Sequence, residues 1–395
     1  MKTFVVIASI LLLGFHLVAE PDSGLAPEVA DLKPEEISYQ MEQNLPDLKQ
    51  PYLSASPTDR KDGITVGKLG PDGGNKDIVM GFAESLAKKP ANDRAGHTDS
   101  LLIGYKGKLI FESYYRRGRV NYPHYQMSIT KSYTAMAVGR AMQLGHLTMK
   151  NLDQPVISFL LDLKPDDLVK GADDITLHQA MHMSSGIRVP KAKLQALMKT
   201  PELLKGQGQV QAYLEHSAPI PPAPRGFKYQ GTDPSIAMQV VESVVPGKAE
   251  KFIRDELLKP LGITSYNWQE DVSGLPKAAA GSSLRSRDML KMGLLVLNKG
   301  KWQGKQLIPE AFVERATSPI KLSYGKSSYG YFWWGEDCEV GGKTYHGMQG
   351  RGAGGQFIFM FPELDLVVVV TSHNKGMGTL LRSLPKKLIP AFTGN

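Results

Sequence analysis

A chain of 395 residues with 42% apolar and 22% charged side chains has enough hydrophobic material for a large core, which excludes a disordered or fibrous class. The formal charge of +8 is scattered, with no basic block interleaved with aromatics, which excludes a nucleic-acid partner from the reading. The single cysteine, Cys338, cannot form an internal disulfide. Its neighbours Glu336, Asp337 and Glu339 would raise its thiol pKa, so it reads as structural and not as a nucleophile.

In chain order, Lys2 precedes an almost unbroken apolar run from Phe4 to Val18 in which His16 is the one ionisable residue, and the small Ala19 ends it before Glu20 and Pro21. This predicts a signal peptide over 1–19 and an exported protein, periplasmic or secreted. No cysteine follows as a lipid anchor, and no later stretch is long and apolar enough to span a membrane. Residues 20–95 are rich in Pro, Gly, Asp and Lys and read as an N-terminal extension wrapped on the main body, with irregular loop from Ser54 to Lys76. Ser100–Tyr105 and Lys108–Tyr115, joined by Lys106-Gly107, predict a β-hairpin. A helix is expected from about Ser128, where Tyr133, Met136, Ala137, Arg140, Ala141 and Leu144 recur at helical spacing until Gly145.

From about 150 to 280 the pattern is mainly helical, broken at Pro219–Pro224. Asp288–Asn298 predicts another helix, Gln356–Phe361 and Leu366–Thr371 predict strands, and Gly378–Phe392 predicts a helix interrupted by Pro385. Strands at both ends with helices between predict an α/β (α+β) domain over 96–395. Its antiparallel sheet is drawn from both chain ends and flanked by helices, with an inserted, mainly helical subdomain at about 150–280.

Ser128-Ile129-Thr130-Lys131 places a serine and a lysine three apart, on one face of a helix. At a helix start, the free N–H groups and the positive dipole end favour oxyanion character near Ser128. Burial would depress the Lys131 pKa until its neutral amine can accept the serine proton. Alone, the tetrapeptide is a weak signal and reads better as a capping serine followed by a surface lysine.

Further segments give it context. Gly145-His146-Leu147-Thr148 and Asp153-Gln154-Pro155-Val156 follow, then Ile175-Thr176-Leu177 to His182-Met183-Ser184-Ser185-Gly186. Pro260-Leu261-Gly262-Ile263, Gly281–Gly300, Trp302–Pro309 and Tyr329-Gly330-Tyr331-Phe332-Trp333-Trp334 come next. In this order, over roughly 97–395, they resemble the serine β-lactamase and penicillin-binding-protein superfamily. The nearer likeness is to class C β-lactamase-related proteins, family VIII carboxylesterases and 6-aminohexanoate-dimer hydrolases.

The resemblance implies a β-lactamase-like fold with Ser128 as nucleophile, Lys131 as base and Tyr229 as second proton carrier. Tyr229-Gln230-Gly231 stands where the family has Y-x-N, with Gly231 replacing the asparagine that helps bind a β-lactam side chain. The third motif, K-T-G or a variant, is replaced by Gln349-Gly350-Arg351-Gly352-Ala353-Gly354-Gly355-Gln356. A backbone N–H near Ala353 or Gly354 is expected to complete the oxyanion hole with that of Ser128. Arg351 reads equally as a ligand for a substrate carboxylate and as a surface arginine. His182 reads as a buried, hydrogen-bonded histidine.

No G-x-S-x-G elbow, H-E-x-x-H or dinucleotide glycine fingerprint is present in a fitting context. The activity the resemblance implies is hydrolysis of a small ester or amide through an acyl-enzyme, with no metal or organic cofactor. A carboxylesterase stands first, a 6-aminohexanoate-oligomer-type amidase second, and a β-lactamase or D,D-peptidase third. A catalytically silent envelope ligand-binding protein is the alternative of another class.

Overall fold

The computed structural model describes residues 25–394, so the apolar leader over 1–19 lies outside the described residues. The main sheet has ten strands among the described residues. Nine follow one path: β1 Tyr52–Ser54, β2 Thr98–Tyr105, β3 Lys108–Tyr114, β4 Lys321–Leu322, β5 Ser328–Tyr329, β6 Trp334–Val340, β7 Lys343–Gly352, β8 Gln356–Phe361 and β9 Leu366–Ser372. Their order is β1-β3-β2-β9-β8-β7-β6-β5-β4, each neighbour antiparallel. The predicted hairpin is β2–β3, and β9 pairs with β2 in the register Val369↔Leu102. The sheet therefore joins the two ends of the chain, as expected.

Both faces of the sheet are covered, which explains why its central strands read as unbroken apolar runs. In β8, Phe357, Phe359 and Phe361 face one core while Ile358 and Met360 face the other, the period of two that a pleated strand imposes. On the first face lie α1, Lys76–Ala87, capped by the Asn75 side chain, and the C-terminal helix, which buries Leu380, Leu384 and Leu388. On the second lie α2, Ile129–Gln143, and α4, Ser286–Leu297, while α3, Thr232–Val244, packs on α2. A Cβ on Gly293 of α4 would come 2.6 Å from Val367, so the glycine permits the close helix–sheet approach.

Two local expectations need correction. The C-terminal helix, α5 Gly378–Leu388, runs through Pro385 instead of breaking there, because its leucine stripe on the sheet side is continuous across the proline. The segment 54–76 is not wholly irregular either: Thr65–Val66 forms a tenth strand, parallel to β3. The extension is further tied down at the buried Arg287. That side chain donates to both oxygens of Glu112 at 2.7 Å, to the Asp62 carboxylate at 3.2 Å and to the Thr58 carbonyl at 2.9 Å.

Between α2 and α4 the chain is mainly helical, with two short strands, Ser282–Leu284 and, before it, Asn267–Trp268. That strand and His124–Tyr125 flank Ser282–Leu284 in a small three-stranded sheet. This small sheet positions the start of α2. Among the described residues no helix is long and apolar enough to cross a membrane.

Candidate active site

Ser128 occupies the position just before α2, and its hydroxyl makes no capping bond to the helix. The capping alternative for this serine is thereby set aside. Met127, directly before it, has φ of 49°, a left-handed conformation that a side chain pays for in strain. The turn is held from below: Gln126 N–H donates to the Ser282 carbonyl at 2.8 Å, and Thr130 Oγ1 shares a hydrogen bond with Ser282 Oγ at 2.8 Å. Thr130 Oγ1 also donates to the Met127 carbonyl at 2.7 Å. A strained turn clamped on both sides leaves the serine oxygen free to face the site.

Lys131, one turn on, is 4% exposed. Its Nζ lies 3.1 Å from Ser128 Oγ and donates to the Ala279 carbonyl at 2.7 Å. Burial pulls its pKa down to about 8. Of these contacts the serine was legible in the sequence. Ala279 was not, because a backbone carbonyl leaves no signature in residue type.

Tyr229 closes the constellation, with Lys131 Nζ 4.7 Å from its ring centroid. Burial raises the phenol's pKa, while a hydrogen bond with Ser128 and the charge of Arg351 pull it back. The structure therefore brings Ser128, Lys131 and Tyr229 together across about a hundred residues of sequence.

The loop carrying Tyr229 is fixed by a residue the sequence reading passed over. Asp233, fully buried in the first turn of α3, accepts from the Ser185 hydroxyl at 2.8 Å and the Ser185 N–H at 3.3 Å. It also accepts from Gln230 Nε2 at 2.5 Å and Thr232 Oγ1 at 3.0 Å. Burial pushes its carboxyl up to about 6 in spite of these donors. Gly231 has φ of −91°, and a Cβ there would meet only Ala279 Cβ at 3.6 Å, an ordinary contact. Neither backbone nor space demands glycine at this position. His182 is buried, as read, with Nδ1 2.5 Å from the His178 carbonyl and Nε2 2.6 Å from Ser184 Oγ. Burial and the neighbouring His178 hold its pKa down to about 3.

The end of β7 lies against the turn that carries Ser128. A Cβ on Gly350 would come 3.5 Å from Ile129, and one on Gly352 would come 2.4 Å from the Gln126 carbonyl, so the strand meets the chain on both sides of Ser128. Small residues are required for that approach. Ala353 and Gly354 follow in the turn into β8. The N–H groups of Ser128, Ala353 and Gly354 donate to no acceptor among the described residues.

Arg351 is neither a surface arginine nor a free cation. It is buried, donates to Gln349 Oε1 at 2.7 Å, pairs with Glu336 and lies 4.9 Å over the Trp334 ring. Glu336 already holds the charge that the sequence reading offered to a substrate carboxylate. Cys338, on β6, is only partly buried, and burial first and Glu336 second push its thiol up to about 11, so it stays protonated.

Comparison with known proteins agrees with this geometry. The family model described as Beta-lactamase matches residues 83–385. Among solved structures, a candidate 6-aminohexanoate-dimer hydrolase from Bacillus anthracis is similar at 17% identity and TM-score 0.63, covering 89% of this chain and 91% of that one. A class C beta-lactamase is similar at 16% identity and TM-score 0.61, covering 81% and 97%. A D-stereospecific amidohydrolase from Streptomyces is similar at 18% identity and TM-score 0.54, covering 75% and 94%. At such identities the likeness speaks to the fold. No curated protein sequence matches the chain significantly.

Proposed function

This chain belongs to the beta-lactamase family, and we propose that it is an exported carboxylesterase that works through an acyl-enzyme on Ser128. The observation that carries this reading is the buried Lys131 amine 3.1 Å from the Ser128 hydroxyl, with a pKa low enough to be partly neutral near pH 8. Neutral Lys131 takes the proton as Ser128 Oγ bonds to the substrate carbonyl carbon, and the carbonyl oxygen becomes an oxyanion. The N–H groups of Ser128 and Ala353, or of Gly354 in its place, receive that charge. The tetrahedral intermediate collapses, the bond to the leaving group breaks, and Tyr229 passes it the proton. Water then attacks the acyl-enzyme by the reverse relay and frees Ser128.

Two observations favour an ester over a β-lactam: Gly231 supplies no side-chain amide, and Arg351 is already paired with Glu336. An amidase acting on a linear amide is the second reading. The similarity to the Bacillus anthracis protein, which extends over 91% of that chain, favours it. Turnover of p-nitrophenyl butyrate against butyryl p-nitroanilide separates them. The ester reading expects kcat/KM for the ester to exceed that for the anilide by more than their difference in intrinsic reactivity, and both to vanish in Ser128→Ala. Comparable enzymatic acceleration of the two would move the assignment to the amidase. Turnover of neither in the folded protein would leave the binding-protein alternative.

A further inference from the structure

The hairpin β4–β5 presents apolar side chains to solvent beside the candidate site. Leu322 is 77% exposed and Tyr324, two residues on, is 60% exposed. Exposed large apolar groups that adjoin a site of chemistry ask for an occupant. The hairpin is nonetheless well formed. β4 and β5 pair in the register Leu322↔Ser328, Ser323 N–H donates to the Ser327 carbonyl at 3.0 Å, and Ser327 N–H returns to the Tyr324 carbonyl at 3.1 Å.

Tyr324 continues a wall of rings that ends at the nucleophile. Its ring lies 5.4 Å from that of Phe227, at 83°, and 6.4 Å from that of Trp334. Trp334 lies 5.4 Å from Tyr229, and the Tyr229 ring lies 4.7 Å from Lys131 Nζ. The buried Tyr329 roots the hairpin in this wall, edge-on to Trp334 at 4.8 Å and to Tyr229 at 6.1 Å. Because Glu336 holds the charge of Arg351 behind Trp334, this wall offers ring faces and no free guanidinium.

Resting on the acyl-enzyme reading above, we propose that the β4–β5 hairpin is a recognition element of the same site, with Tyr324 as a specificity-determining residue, and that the substrate's leaving group carries an uncharged, flat apolar ring. The side is set by Tyr229, which protonates the leaving group in that reaction and stands in the same ring cluster as Tyr324. Offset or edge contacts between rings give such a group its preferred place.

The test uses two esters that deliver the same acetyl group to Ser128, 2-naphthyl acetate and 2,2,2-trifluoroethyl acetate, so the acyl-enzyme and its hydrolysis are common to both. In the full mature protein, Tyr324→Ala is expected to lower kcat/KM for the naphthyl ester roughly three- to tenfold, the value of one ring–ring contact, and to leave the trifluoroethyl ester within about twofold. Tyr324→Phe keeps the ring and should keep the preference. An exposed side chain can be removed without opening the core, and circular dichroism verifies the fold. Equal loss on both esters, or no loss on either, overturns the role of the hairpin while leaving the acyl-enzyme intact. Hydrolysis that is absent from the wild type, or that survives in Ser128→Ala, overturns the acyl-enzyme reading and the hairpin's role with it.

Discussion

Burial holds the Lys131 amine down to about 8, and the sign of the resulting pH dependence is fixed. In the proposed mechanism the neutral amine is the base, so acylation should rise as pH passes through about 8 and level off above it. Pre-steady-state release of p-nitrophenol between pH 6 and 10 measures this, and a rate falling through that interval would contradict the assignment. The same residue shows what could be read from sequence at this scale. S-x-x-K names the pair, and helical spacing puts the two on one face. The depth of burial and the Ala279 carbonyl that takes the amine's second hydrogen bond come from tertiary packing. The Asp233 clamp was hidden for a related reason. Its partner Ser185 lies 48 residues away in sequence, and nothing in either residue type announces the meeting.

At the scale of elements, a strap from the extension braces the strand that leads to Ser128. Ser38 caps the short helix Tyr39–Gln43, which carries the buried Glu42. Glu42 reaches His124 Nδ1 at 2.8 Å and the Tyr125 N–H at 2.8 Å, while the Tyr39 ring packs 4.9 Å from Tyr125. Burial alone would lower the His124 pKa, but the Glu42 carboxylate more than offsets it and the net shift is upward. A raised histidine makes its contribution to stability fully below its unfolded value of about 6.5 and loses it as pH rises through the folded value. Glu42→Gln leaves a buried imidazole without its counter-charge and is expected to cost roughly 3 kcal/mol at pH 6. The cost should be smaller at pH 8.5, as read by urea denaturation at the two values. An equal cost at both would deny that the pair is charged. Periodicity disclosed the hairpin, α2, α4 and the closing strands, because each buries a regular face. It could not disclose the strap or the Thr65–Val66 strand, whose loop-like composition hides two pairings made far along the chain.

For the whole molecule, sheet strands from both chain ends and an inserted helical region were legible because apolar runs mark the covered strands and the ordered motifs marked the family. The departures from those motifs, Gly231 and the Arg351 segment, became interpretable only in three dimensions. One position proved open and the other proved to be a paired charge. The proposed mechanism rests on Ser128 as a nucleophile activated by Lys131. The direct test is to label the protein with a fluorophosphonate and map the modified peptide by mass spectrometry, with Ser128→Ala and Lys131→Ala alongside. The expected result is a single adduct on Ser128, none in Ser128→Ala and labelling slowed roughly a hundredfold or more in Lys131→Ala, the scale of lost general-base catalysis. An adduct on another serine, or full-rate labelling without Lys131, would contradict it.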